Sequence, residues 1–242
     1  MNLYVGTSGY SYKEWKGPFY PPKLPAKQRL AFYGEHFRTV EINYTFRRLP
    51  TAAVLKAWAD AVPADFRFAL KAPELITHRK RLQDVGDALV NFLDVTDTLK
   101  QRLGPLLFQL PPNFKKDTLR LQAFLQLVPL ERRVAFEFRH PSWLDDEVFA
   151  LLREHGAALC IADADDDLEV PMAATADWGC LRLRRPDYDD TALKRWLKQI
   201  RQQDWQDAFV FFKHEDEGKG PKLALKLLEL TTSLHRGAGC GR

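Results

Sequence analysis

The stretch RVAFEFR, residues 133–139, alternates with a period of two. Val134, Phe136 and Phe138 fall on one face, and Ala135, Glu137 and Arg139 on the other. A strand with bulky apolar side chains on one side and small or ionisable ones on the other fits a barrel wall, where one face packs on helices and the other lines the lumen. Seven further runs read as strands: 2–6, 39–43, 66–71, 105–110, 157–163, 179–184 and 208–214. Between them, apolar residues three and four apart predict helices over 26–36, 51–61, 85–102, 117–127, 145–155, 189–203 and 220–234. Only 164–178, polar and then Pro/Ala-rich, lacks a helical pattern. Asp117 and Asp145 stand where a helix N-cap or first-turn acid belongs.

Repeated β-then-α units imply right-handed crossovers and parallel pairing. Eight of them favour an α/β fold closed as a single (β/α)8 TIM-type barrel over an open doubly wound sheet. The 242 residues suit one such barrel, expected to span residues 1–235 with a flexible tail at 236–242. No Pro/Gly/Ser linker divides the chain.

Lys and Arg exceed Asp and Glu by only four, which does not identify a nucleic-acid binder. The opening MNLYVGTSGY shows no secretory pattern, and the longest apolar runs are strand-sized, so the expectation is a cytoplasmic protein without a membrane partner. Cys160, Cys180 and Cys240 are widely separated and lack CxxC spacing. That argues against a disulfide framework or a structural zinc site; the first two read as small core residues, the third as an incidental tail residue.

Counting alternate residues along each strand places Glu41 and Asn43, Lys71, Gln109, Glu137 and Arg139, and Arg182 toward the lumen at the C-terminal strand ends, with Arg184 at the limit of its strand, and strand six ends in Asp163. On the last strand Lys213 is inward if Phe211 is, and a one-residue slip would select His214. A merely structural barrel needs only apolar filler there, so a ring of ionisable groups marks a candidate site. Its plainer alternative is a self-satisfied ion-pair layer, for instance Glu137 with Arg139 or Glu41 with Lys71.

Within that ring, Glu41, Lys71, Glu137 and Asp163 are the candidate catalytic groups, as general acids or bases, or in the case of Lys71 as a Schiff-base amine. Arg139, Arg182 and Lys213 suit a phosphate or carboxylate. His78 and His140 lie just past strand ends, placed to shuttle protons or to hold their loops. Tyr10, in the turn TSGYS, is a candidate substrate contact, and the loop residues Trp15 and Trp143 are candidate pocket walls. The proline- and aromatic-rich stretch 15–25 reads as an ordered loop that could form part of a lid. No cofactor is expected. The six histidines show no HxH or HExxH spacing, so a divalent ion would have to be assembled by Glu41, Glu137 and Asp163 from separate strands.

The stretches GTSGYSYKEWKGPFYP, FRTVEINYTFRRLP, FRFALKAPELITH, GPLLFQLPPNF, FEFRHPSW and FVFFKHEDEGKGP together resemble, in order, the motifs of the YecE-like proteins, domain-of-unknown-function family 72. The resemblance implies a TIM-type barrel and no established reaction. The family's polar positions fall here on Glu41, Asn43, Lys71, Gln109, Glu137 and Arg139, with Asp163 and Arg182 matching less distinctively. Many relatives carry an Asn-Asn pair at the end of the last strand, where this chain has Lys213 and His214.

The functional expectation is a small-molecule enzyme, isomerase- or hydrolase-like, acting on a polar, anionic or sugar-like substrate at the C-terminal mouth. The alternatives are a barrel that binds or processes nucleic acid, suggested by basic runs such as 78–81, and a non-catalytic metabolite-binding barrel. Sequence does not address the oligomeric state.

Overall fold

The computed structural model describes residues 1–165 and 168–237, without the side chains of 233–237. Eight parallel strands form the wall: β1 (Asn2–Thr7), β2 (Thr39–Ile42), β3 (Arg67–Lys71), β4 (Leu103–Gln109), β5 (Val134–Glu137), β6 (Ala158–Asp163), β7 (Trp178–Leu183) and β8 (Asp207–Phe212). Their ladders run β1-β8-β7-β6-β5-β4-β3-β2. All eight expected strands are present, and the fold is the α/β TIM-type barrel. The ring closes between β1 and β2 only near the mouth, through a bridge from Ser8 to Glu41 and a 2.7 Å bond from the Gly9 N–H to the Glu41 carbonyl.

Below that point a side chain replaces the missing ladder. The phenol of Tyr33 accepts from the Thr7 N–H at 2.9 Å and donates to the Thr39 carbonyl at 3.0 Å. A Cβ on Gly6 would stand 2.1 Å from that same carbonyl, so only glycine lets the two strands approach.

Around the wall run α1 (Arg29–His36), α2 (Tyr44–Arg47), α3 (Ala52–Asp60), α4 (Gly86–Thr96), α5 (Thr118–Leu125), α6 (Asp146–Glu154), α7 (Asp190–Arg201) and α8 (Lys219–Gly237). Asp117, Asp145 and Asp189 cap α5, α6 and α7, each accepting a first-turn N–H. The expected helix over 85–102 is divided. After α4 the chain tightens to a 3-10 turn over Asp97–Arg102, with Lys100 at φ 50°. The short α2 and a π turn over Leu75–Arg79 follow β2 and β3 and carry no sequence period long enough to reveal them. Among the described residues no helix joins β6 to β7. Thr175 ties that connection down instead, donating to the Ala157 carbonyl at 2.8 Å and accepting from Leu159 N–H at 2.7 Å. Most of the expected tail, Cys240 included, lies outside the described residues.

Two apolar cores follow from strand alternation. Outward residues such as Val134, Phe136 and Phe138 join the helices in a continuous shell. Inward residues form a separate lumenal cluster that includes Tyr4, Ala69, Leu107, Ala135, Cys160, Cys180, Phe209 and Phe211. Bulky rings on β1, β7 and β8 sit across from small residues on β3, β5 and β6, so the lumen is filled and the next inward position on each strand forms its upper layer. No helix among the described residues is long and apolar enough to cross a membrane.

Candidate functional site

The upper layer is built on Arg182, which is 2% exposed. Its Nη1 bonds to Oε2 of Glu137, its Nη2 donates to Oε1 of Glu41 at 2.8 Å, and its Nε stands 2.8 Å from Oε2 of Glu41 in an ion-pair contact too bent for a hydrogen bond. Further neighbours converge on one oxygen of each carboxylate, while Glu41 Oε2 keeps, among the described residues, only the Arg182 ion-pair contact. Glu41 Oε1 also accepts from Ser8 Oγ at 2.8 Å and Asn43 Nδ2 at 3.1 Å. Glu137 Oε1 accepts from Gln109 Nε2 at 2.8 Å, with Arg184 Nη1 at 3.4 Å and Arg139 Nε at 3.5 Å beside it.

Burial alone would push the Glu137 carboxyl up. Arg182, Arg184 and Arg139 outweigh it and hold the group at about 2. The same two carboxylates raise the Arg182 guanidinium above its ordinary value against the pull of desolvation. Buried ions this well matched form a fixed floor.

Lys71 sits differently. Its Nζ donates to the neutral Oε1 of Gln109 at 2.7 Å and lies 4.1 Å from the centroid of Phe46. The strand end beneath it is pinned by Thr45 Oγ1, which donates 2.6 Å to the Lys71 carbonyl. Desolvation first, then the charge of Arg182, lowers the amine to about 8, against the opposing pull of Glu137 and Glu41. Lys213 is inward with Phe209 and Phe211, exposed at the rim, and lowered by burial and by Arg184 and Arg182. In this layer Lys71, Arg139, Arg182 and Lys213 lie around the carboxylates of Glu41 and Glu137, and Glu215 acts on Lys213 from the rim.

Three expected positions fall elsewhere, and His140 takes the loop-holding one of its two expected roles. Asp163 is not lumenal. Ala158 and Cys160 face inward, so alternation turns Ala162 in and Asp163 out. Its carboxylate takes the Tyr188 hydroxyl at 2.9 Å and Arg185 Nε at 2.6 Å, beside a groove lined by Trp196. It therefore does not join Glu41 and Glu137 in a metal-binding set. Trp143 and Trp15 are not pocket walls, because both are fully buried. Trp143 stacks on Phe138 and donates to the Phe114 carbonyl at 2.6 Å. Trp15 donates to the Glu215 carbonyl at 2.9 Å, pinning the loop after β1 to the loop after β8. His140 holds its own loop, its Nδ1 accepting from Ser142 N–H at 3.1 Å.

The remaining expected contacts stay near the mouth. His78 meets the edge of the Phe46 ring at 4.9 Å, its Nδ1 2.9 Å from Thr77 Oγ1. Tyr10 is half-buried against Tyr33, and its carbonyl accepts from Tyr20. His214 points away from the lumen, its Nε2 on the Arg185 carbonyl. Ser8 was not among the expected site residues. Its hydroxyl lies in the TSGYS turn, and only the closure of β1 on β2 reveals that it reaches Glu41.

A parallel (β/α)8 barrel with a polar layer at its C-terminal strand ends is the architecture of TIM-type proteins, whose sites lie at that face. The chain belongs to the DUF72 family, described as a protein of unknown function, whose family model matches residues 4–238. It is 32% identical to UPF0759 protein YecE of Escherichia coli over 142 residues, 58% of this chain and 50% of that protein. The match thus spans half the length of YecE. UPF0759 protein YunF of Bacillus subtilis is 24% identical over an alignment covering 94% of both chains. The crystal structure of a DUF72 family protein from Thermotoga maritima superposes with a TM-score of 0.87 at 28% identity, covering 96% of this chain and all of that one. A DUF72 family protein from Enterococcus faecalis shares the fold at TM-score 0.79 and 17% identity, covering 95% of each chain.

Proposed function

We propose that the C-terminal mouth is an active site for a small polar, sugar-like molecule that carries a phosphate or carboxylate. The carrying observation is the charge arrangement of the upper layer: Glu41 and Glu137 both pair with the buried Arg182, while Lys71, Arg139 and Lys213 stand above them. Among the described residues, Arg139 reaches an oxygen that Gln109 already occupies, and Lys71 is bonded to a neutral amide alone. An incoming anion supplies the missing countercharge, and guanidinium and ammonium groups on rigid strand ends are suited to hold it.

In this reading Glu41 and Glu137 position Arg182 and fix the floor. Glu137, held at about 2 with both oxygens bonded, is a poor general base. Lys71 carries the proton transfer, since an amine near 8 exchanges protons close to neutrality. Arg139 and Lys213 grip the anionic group, and Asn43 and Gln109 present amides to hydroxyls.

The test is a panel of sugar phosphates and hydroxy acids read by thermal shift and by turnover in NMR spectra. Anionic members should stabilise the protein, neutral sugars should not, and Lys71→Met should abolish turnover while retaining part of the shift. Stabilisation without turnover would assign the mouth to a metabolite sensor. Stabilisation by oligonucleotides alone would move the site to a nucleic-acid surface.

A further inference from the structure

The surroundings of Lys71 are those of a nucleophile. Its amine is half-buried on a strand end, lies over the face of Phe46, and donates a hydrogen bond to a neutral amide oxygen. Among the described residues it has no ion pair within 4.0 Å, the distance at which a carboxylate would hold it as ammonium. The cations Arg182 and Lys213 act on it from β7 and from the position just past β8. Lysines placed in apolar surroundings beside other cations are the ones that add to carbonyl carbons.

We propose that Lys71 forms an imine with an aldehyde or ketone that also bears a phosphate or carboxylate; this rests on the anion-binding reading above and assigns the substrate its reactive group. The neutral Nζ donates its lone pair to the carbonyl carbon, forming the C–N bond as the C=O π pair moves to oxygen. Oxygen gains a proton and nitrogen loses one, giving a carbinolamine. The hydroxyl then leaves as water with a second proton, and the nitrogen lone pair closes the C=N bond. Nothing is oxidised or reduced, and the product is the protonated or neutral imine plus water.

His78 is placed for the proton movements. It shares the Phe46 ring with Lys71, one ring nitrogen is occupied by Thr77 Oγ1, and burial followed by the charge of Lys71 lowers it, so the imidazole is neutral near pH 7. Arg139 and Lys213 hold the anionic end while Phe46 shields the amine from water. The same factors set the population of reactive amine. Burial and Arg182 bring Lys71 to about 8, with Lys213 adding to the fall and Glu137 and Glu41 opposing it. At pH 7.5 the neutral fraction then exceeds that of an ordinary surface lysine by on the order of a hundredfold.

Pyridoxal 5′-phosphate is the probe, being itself a phosphate-bearing aldehyde. The full chain is treated with it at pH 7.5, reduced with borohydride and mapped by peptide mass spectrometry. Label should enter the Lys71 peptide at least roughly tenfold faster than any other lysine, be slowed by inorganic phosphate, and be lost in Lys71→Arg. Label spread over lysines according to their exposure overturns the imine. A parallel arm labels with formaldehyde and cyanoborohydride, which carry no phosphate. If phosphate still protects Lys71 there while pyridoxal phosphate is unselective, the imine fails and the anion site stands. If phosphate protects in neither arm, both fail.

Discussion

Gln109 stands between Lys71 and Glu137 with its amide bonded at both ends, Oε1 taking the lysine at 2.7 Å and Nε2 reaching the carboxylate at 2.8 Å. This neutral spacer keeps the amine from becoming the partner of a carboxylate. Gln109→Glu replaces the amide oxygen with a charge and should return Lys71 from about 8 toward its ordinary 10.5. Labelling of Lys71 by an amine reagent at pH 7.5 is then expected to slow by roughly tenfold or more. An unchanged rate would show that the spacer does not set the amine.

Arg182 neutralises two buried carboxylates at once, so its loss should be felt in stability. Arg182→Met leaves Glu41 and Glu137 without their shared cation and is expected to cost about 3–5 kcal/mol in urea denaturation. The pH dependence has a definite sign. Glu137 is held at about 2 against an ordinary 4.5, so its contribution is complete above about 4.5 and is lost as pH falls toward 2. Acid unfolding of the wild type should steepen across that window, and Glu137→Gln should flatten it.

Tyr33 supplies hydrogen bonds that no strand pairing supplies at the seam between β1 and β2. Tyr33→Phe keeps the ring and strands the buried Thr7 N–H and Thr39 carbonyl. Each orphaned group costs about 1–3 kcal/mol, so the variant should unfold at lower urea. Hydrogen exchange should accelerate first at Thr7. Loss of stability without faster exchange there would place the role of the phenol elsewhere.

Asp163 faces away from the lumen, held by Tyr188 and Arg185. Asp163→Asn should therefore leave the affinity for inorganic phosphate unchanged in calorimetry. Arg139→Ala should weaken it by about tenfold, the loss of one charged hydrogen bond. Equal losses in the two variants would contradict the inward and outward assignment of β6.

The barrel was legible because its period-two strands are separated by helical-period segments, and RVAFEFR showed which face was which. The same counting placed Glu41, Lys71, Gln109, Glu137, Arg182 and Lys213 in one layer. Asp163 lies outside that layer because counting from the lumenal Cys160 selects Ala162, so the last residue of the strand points the other way. The two tryptophans misled because a loop position says nothing about which way an indole folds, and both turned inward to find carbonyl partners. Ser8 and Tyr33 escaped notice because their work depends on β1 meeting β2, strands separated by a whole helix in sequence. Nor does residue type show that the two glutamates would share one arginine while the lysine meets a neutral amide.

Whether Lys71 is a tuned amine in an anion-binding mouth is read directly by NMR titration of that amine. With the signal assigned by its loss in Lys71→Arg, Lys71 should titrate near 8 in phosphate-free buffer, apart from the exposed lysines. Saturating inorganic phosphate should move its midpoint upward, because a bound anion favours the charged form. A midpoint among the exposed lysines, unmoved by phosphate, would contradict the account.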